Sequence, residues 1–121
     1  MPRLLIVDDQ ADVSEMLGMH LSELGYVVTL VTDAKAALRA LMGDQFDGII
    51  SDVLLPGTSG LELAEAASAR RIPVLLISGE PKSIERLKEN SRYPFLQKPF
   101  HLDDLESALS AMLNARVRMT T

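Results

Sequence analysis

Val74-Leu75-Leu76-Ile77-Ser78-Gly79 is the stretch on which the fold turns. Four consecutive apolar residues, too few for a buried helix and closed by a hydroxyl and a glycine, suit a strand covered on both faces. Leu4-Leu5-Ile6-Val7 repeats the pattern before Asp8-Asp9, and Ile49-Ile50 repeats it before Ser51-Asp52. Two weaker candidates complete the set: Tyr26 to Val31, preceded by Gly25 as a helix stop, and Phe95-Leu96, preceded by Pro94.

Between these runs the apolar period becomes helical. Val13, Met16, Leu17, Leu21 and Leu24 fall on one helix face, and Ala34, Ala37, Leu38, Leu41 and Met42 on another. Ser59-Gly60-Leu61-Glu62 has capping-box spacing before Leu61, Ala64 and Ala67. The stretch from Pro81 to Ser91 has only Ile84 and Leu87 as strong anchors and predicts a short, loosely held helix. Leu102, Leu105, Leu109, Met112 and Leu113 form a closing helix opened by Asp103-Asp104, whose charge favours an amino terminus. Strand and helix alternate five times, which predicts right-handed crossovers and an α/β fold: a doubly wound parallel sheet with helices on both faces.

With 121 residues, 47% of them hydrophobic, the chain can bury one core and is too short for two ordinary domains. We therefore expect a single domain over 1–121, with a core of about 3–113 and a tail, 114–121, that loses apolar spacing and frays. The formal charge of −5 and the lack of a lysine or arginine cluster argue against direct nucleic-acid binding, which rests on neutralising phosphates. No cysteine is present, which excludes disulfides and thiolate chemistry and suits a reducing compartment. The apolar stretch after Met1-Pro2-Arg3 is too brief for a secretory signal, and no run approaches the roughly 20 residues that span a bilayer. A cytoplasmic location is the expectation, without a membrane partner.

The residues that look chemical stand at the ends of the apolar runs: Asp8-Asp9, Asp52, Ser78 and Lys98. In a parallel sheet these ends share one edge, where loops open a crevice for ligands. Three crowded carboxylates repel one another, and a hard divalent cation relieves them; magnesium prefers oxygen ligands and keeps several waters. Asp52, the lone acid after the third run, is the best candidate nucleophile toward phosphorus, and the tandem pair is better placed to hold metal. Lys98 offers a compact charge to an anionic group, and Ser78 a hydroxyl donor. Each element has a plainer reading taken alone: the tandem aspartates as a helix cap, Ser78-Gly79 as turn chemistry, Lys98-Pro99 as a solvated lysine before a turn. Their joint placement favours a site. His20 and His101 read as surface or packing residues.

Leu-Ile-Val-Asp-Asp (5–9), Asp-Val-Leu-Leu-Pro-Gly-Thr-Ser-Gly (52–60), Leu-Leu-Ile-Ser-Gly (75–79) and Phe-Leu-Gln-Lys-Pro-Phe (95–100) together resemble the receiver domain of two-component response regulators. The resemblance runs from about Arg3 to Leu113. It implies a flavodoxin-like five-stranded sheet in the order 2-1-3-4-5. By the same resemblance Asp52 is the phosphoacceptor, and Asp8, Asp9, Asp52 and the backbone carbonyl of Leu54 hold Mg2+. Ser78 is then the switch hydroxyl, Lys98 the phosphoryl-binding lysine, Phe95 the switch aromatic, and Lys98-Pro99 a cis bond. Leu54 and Glu80 are placed beside the path of the attacking water.

The activity so implied is a phosphorylation-activated switch rather than a conventional enzyme. A sensor histidine kinase or phosphotransfer protein donates the phosphoryl group, the chain assists its own phosphorylation and dephosphorylation, and output is by contact with a downstream protein. A homodimer is compatible with this. Serine stands at 78 where threonine is commoner, Phe95 lacks a phenolic hydroxyl, and the segment from Ser78 to Lys98 is shorter than usual. Met1 and the fraying tail favour a free-standing regulator over a receiver cut from a hybrid kinase or multidomain regulator. A phosphorylation-independent scaffold is the other alternative. A small aspartyl-phosphate phosphatase would need a second acid two positions after Asp8, where Gln10 stands.

Overall fold

The computed structural model describes residues 2–56, 58–90 and 93–120, with side chains at 58, 90 and 115–120 excepted. Met1, Gly57, Ser91 and Thr121, all touched by the sequence reading, lie outside the described residues. The strands are β1 (Arg3–Val7), β2 (Val27–Val31), β3 (Gly48–Asp52), β4 (Leu54–Leu55), β5 (Thr58–Ser59), β6 (Val74–Ser78) and β7 (Phe95–Gln97). The helices are α1 (Ala11–Glu23), α2 (Ala34–Gly43), α3 (Gly60–Ala69), α4 (Pro81–Asn90) and α5 (Leu102–Thr120).

Five strands form one sheet in the order β2-β1-β3-β6-β7, with every pair parallel. This is the expected 2-1-3-4-5 order once the small β4-β5 hairpin is set aside. The three central strands β1, β3 and β6 are buried along almost their whole length, as continuous apolar runs require. Their side chains alternate between two cores. Leu5, Val7, Ile49, Val74 and Leu76 meet the buried faces of α2, α3 and α4, while Leu4, Ile6, Ile50, Leu75 and Ile77 meet those of α1 and α5. Each such Leu or Ile contributes about 1.5–3 kcal/mol relative to exposure.

Local signals set the ends of the helices. Asp33 Oδ1 accepts from the Ala36 amide at 2.7 Å and Ser59 Oγ from the Leu61 amide at 3.0 Å, each capping the helix it precedes. Gly25, after α1, adopts φ +100, a conformation that costs glycine little.

Several expectations need correction. Met16 on α1, Leu24 directly after it, and Leu38 and Met42 on α2 are exposed, Met42 at 76%. The buried stripes are narrower than the apolar ones: Ser14, Leu17, Gly18 and Leu21 on α1, and Ala34, Ala37 and Leu41 on α2. A helix lying on a sheet buries only the side chains pointing at it, and the flanks of the stripe stay in solvent. With 10 residues, α4 is as long as α2 and α3, and Ile84, Leu87 and Ser83 are all buried. The backbone after Leu113 does not leave the helix, which continues to Thr120, because Ala, Arg and Met propagate a helix without needing an apolar face. The β4-β5 hairpin has no counterpart in the sequence reading, being too short for any periodicity.

Where the chain enters α3 after the β4-β5 hairpin, its backbone packs closely against the end of β3. The Gly60 amide donates to the Val53 carbonyl at 2.7 Å, and a Cβ at Gly60 would overlap the Asp52 carbonyl oxygen. Gly60→Ala is therefore expected to lower unfolding free energy by about 1–3 kcal/mol, measured by denaturant titration. Gly43→Ala, whose Cβ meets nothing within 4 Å, is the control.

Candidate functional site

Strands β1, β3 and β6 end together, so Asp8, Asp52 and Ser78 arrive at one sheet edge, and β7 delivers Lys98 beside them. Asp8 is fully buried and Asp52 nearly so, while Asp9 is exposed. Carboxylate oxygens of Asp8, Asp9 and Asp52 lie within 4.8 Å of one another. Asp9, Gln10, Asp52, Leu54, Gly79, Glu80 and Lys98 line an open cavity of ≈ 360 Å³ at this edge.

Hydrogen bonds orient the acids. Asp8 Oδ1 accepts from the Gln10 amide at 2.8 Å, and Asp52 Oδ1 accepts from the Leu54 amide at 3.2 Å. The second oxygen of each faces Lys98, whose Nζ donates to Asp52 Oδ2 at 3.0 Å and to Asp8 Oδ2 at 3.3 Å. Nζ also donates to Gln10 Oε1 at 3.3 Å, so an acceptor meets each of the ammonium's three N–H groups. The peptide between Lys98 and Pro99 is cis, as the resemblance implies. Ser78 is buried; its Oγ accepts from the Glu80 amide at 3.1 Å, which leaves the hydroxyl proton available to donate.

Burial raises the Asp8 carboxyl above its ordinary value, and the Asp52 charge adds to this; the Gln10 amide and Lys98 oppose it without cancelling it. Burial pulls Lys98 down, but the hydrogen bond and charge of Asp52, with those of Asp8, outweigh it and leave the lysine above its usual range. Lys98 is thus charged at any ordinary pH. Asp8, when ionised, is an under-compensated buried acid, and a further cation is what such a cluster lacks. All-oxygen donors of this kind fit a hard divalent ion such as magnesium.

Asp8, Asp9, Asp52 and Lys98 converge as the sequence predicts, with Ser78 buried at the end of β6 and Leu54 and Glu80 on the cavity wall. Phe95 is not brought to the cavity: it pairs with Leu76, two residues before Ser78, and packs half-buried against the core on the α2-α3-α4 side. His20 Nε2 lies 2.7 Å from Glu106 Oε1 and ties α1 to α5, and His101 is exposed before α5. Gln10 is the residue that sequence reasoning missed. Its only linear signal is its place directly after the tandem acids.

The family model described as the response regulator receiver domain matches residues 4–110. The chain belongs to this family. Among curated relatives, the receiver domain is 35% identical over 120 residues to the transcriptional regulatory protein FixJ of Bradyrhizobium diazoefficiens, covering 95% of this chain and 56% of that one. It is 32% identical over 114 residues to the transcriptional regulatory protein TcrA of Mycobacterium tuberculosis, covering 91% and 45%. It therefore spans about half the length of these relatives. Among solved structures it is similar to the chemotaxis protein CheY4 of Vibrio cholerae, with a TM-score of 0.80 and 30% identity over 93% of this chain and 98% of that one. It is also similar to the response regulator TrrA of Thermotoga maritima, described in complex with magnesium and beryllium fluoride, with a TM-score of 0.82 and 26% identity over 93% and 99%. The shared fold is the doubly wound, flavodoxin-like one. Among the described residues, no helix of the receiver domain is long and apolar enough to cross a membrane.

The raised Asp8 carboxyl has a signed consequence. Stability from its neutral form is present below the ordinary carboxylate pKa and is lost as pH rises through the raised value, so at pH 7 the ionised acid is a cost. A divalent cation should offset that cost. At a hundredfold excess over Kd it is expected to add about 2.7 kcal/mol at pH 7, with the gain shrinking as pH falls through the Asp8 titration. Thermal melts with magnesium chloride across pH 4–7 measure this, and Asp8→Asn should raise the ion-free midpoint at pH 7.

Proposed function

We propose that Asp52 accepts a phosphoryl group from a histidine kinase or phosphotransfer protein and that the chain switches its protein contacts in response. The supporting observation is the 3.0 Å bond from Lys98 Nζ to Asp52 Oδ2, beside an open cavity and two further carboxylates. In the transfer an oxygen of the Asp52 carboxylate attacks phosphorus, an O–P bond forms, and the bond from phosphorus to the donor's nitrogen or oxygen breaks with its electrons leaving on the donor. In a separate hydrolytic step water attacks phosphorus, the O–P bond to Asp52 breaks with its electrons returning to the carboxylate, and inorganic phosphate leaves with the water's oxygen, the water's protons passing to the phosphate and to solvent. The chain thus assists its own phosphorylation and dephosphorylation without being a conventional enzyme.

Asp8, Asp9, Asp52 and the Leu54 backbone carbonyl would hold Mg2+, which supplies positive charge to the phosphoryl oxygens. Lys98, already against Asp52, supplies the opposing charge, so little reorganisation is needed as charge develops. The Ser78 hydroxyl donates to a phosphoryl oxygen. Because it is the buried last residue of β6, directly ahead of the turn into α4, its movement would be felt by α4 and by Phe95, altering the surface offered to a partner. We place this activity in the cytoplasm.

Incubation with acetyl phosphate and magnesium is expected to add one phosphoryl group, seen by intact mass, with peptide mapping placing it on Asp52. Asp52→Asn should abolish the adduct, and Lys98→Ala should slow its formation by about 10²-fold. A phosphoryl group recovered on another residue, or an adduct that survives Asp52→Asn, would overturn the assignment.

A further inference from the structure

Gln10 stands where α1 begins, yet its side chain makes no capping bond to that helix. It turns instead to Lys98, 88 residues away in sequence, with 3.3 Å between Oε1 and Nζ. A lysine ammonium has only protons to offer, so it is the amide oxygen that must face it. The NH2 end of the same amide is then left over, on a side chain that lines the cavity shared by Asp52 and Lys98, and no protein acceptor engages it among the described residues. Two N–H donors at an open cavity beside a phosphoacceptor are suited to an anionic oxygen.

We infer that the Gln10 side-chain amide is a further phosphoryl-binding group, holding Lys98 through its oxygen while donating from Nε2 to a phosphoryl oxygen on Asp52. This rests on the phosphoacceptor reading of Asp52 and adds a ligand to it. The neutral amide suits both tasks. A carboxylate there would hold Lys98 but repel the phosphoryl group, and an aliphatic side chain would do neither. The amide thus links the ammonium and the incoming anion, and Lys98 can turn one N–H toward a phosphoryl oxygen without losing its support from Gln10.

The test uses beryllofluoride as the phosphoryl stand-in, on the full chain with magnesium chloride, with binding followed by fluorine NMR. The Gln10 side-chain NH2 resonances, assigned by their loss in Gln10→Ala, are expected to shift when beryllofluoride binds. Gln10→Ala and Gln10→Glu should each weaken that binding by about tenfold or more, the magnitude of one hydrogen bond to a charged group. Because the side chain caps nothing, both variants should keep the wild-type circular dichroism spectrum. Weaker binding in Gln10→Ala with wild-type binding in Gln10→Glu would mean that the residue only steadies Lys98, and would overturn the proposal. So would affinities within twofold of wild type together with unmoved amide resonances. Absence of beryllofluoride binding by the wild type, or equal binding by Asp52→Ala, would instead overturn the underlying reading of Asp52.

Discussion

Burial of acidic side chains at the carboxyl edge of the sheet is the constraint that the rest of this protein answers to. Asp8 directly follows β1 and Asp52 ends β3, two strands that run through the core, and both acids are buried. One ammonium, that of Lys98, reaches both. It falls short of full compensation, since the Asp8 carboxyl stays above its ordinary range. The site therefore carries negative charge that its one ammonium does not balance, which favours binding of a cation.

The fold serves this arrangement at two levels. Parallel pairing of β1 with β3 and of β3 with β6 puts the acids side by side, and the β6-β7 pair sets the lysine opposite them. At finer scale, the turn after β3 brings the Leu54 amide onto Asp52 Oδ1 and wraps the backbone so closely that only glycine fits at 60. The Gln10 amide does for Asp8 what the Leu54 amide does for Asp52. Asp8 and Asp52 thus each have one oxygen held by a backbone amide and the other by the Lys98 ammonium, so the site is electrostatically preorganised.

Much of this was legible in the linear sequence. The three central strands announced themselves because burial on both faces demands unbroken apolar runs, and the site acids stood out as the polar residues that end them. Strand order followed from the family motifs rather than from spacing. The hydrogen bond from Lys98 to Gln10 is illegible in the sequence because the partners lie 88 positions apart and no local pattern marks an amide as a bridge. Met16, Leu24, Leu38 and Met42 share the apolar periodicity of their helices yet are exposed, because periodicity measures the width of an apolar stripe, whereas the sheet decides how much of it is covered. The β4-β5 hairpin and the continuation of α5 to Thr120 were invisible for the complementary reason: the one is too short for a pattern, and the other is a helix without one.

What the amino-acid sequence determined by itself was the alternation of elements, the covered central strands and the identity of the acids and the lysine, since apolar period and residue chemistry are local properties. What only the tertiary structure decided was which oxygen faces which donor. It brought Asp8, Gln10 and Asp52 around one Nζ, turned Ser78 toward the Glu80 amide, and kept Phe95 in the core beside the site and out of the cavity. The reason is physical: hydrogen bonding and desolvation act over a few ångströms in space, and residues far apart along the chain come within that range only after the sheet has closed.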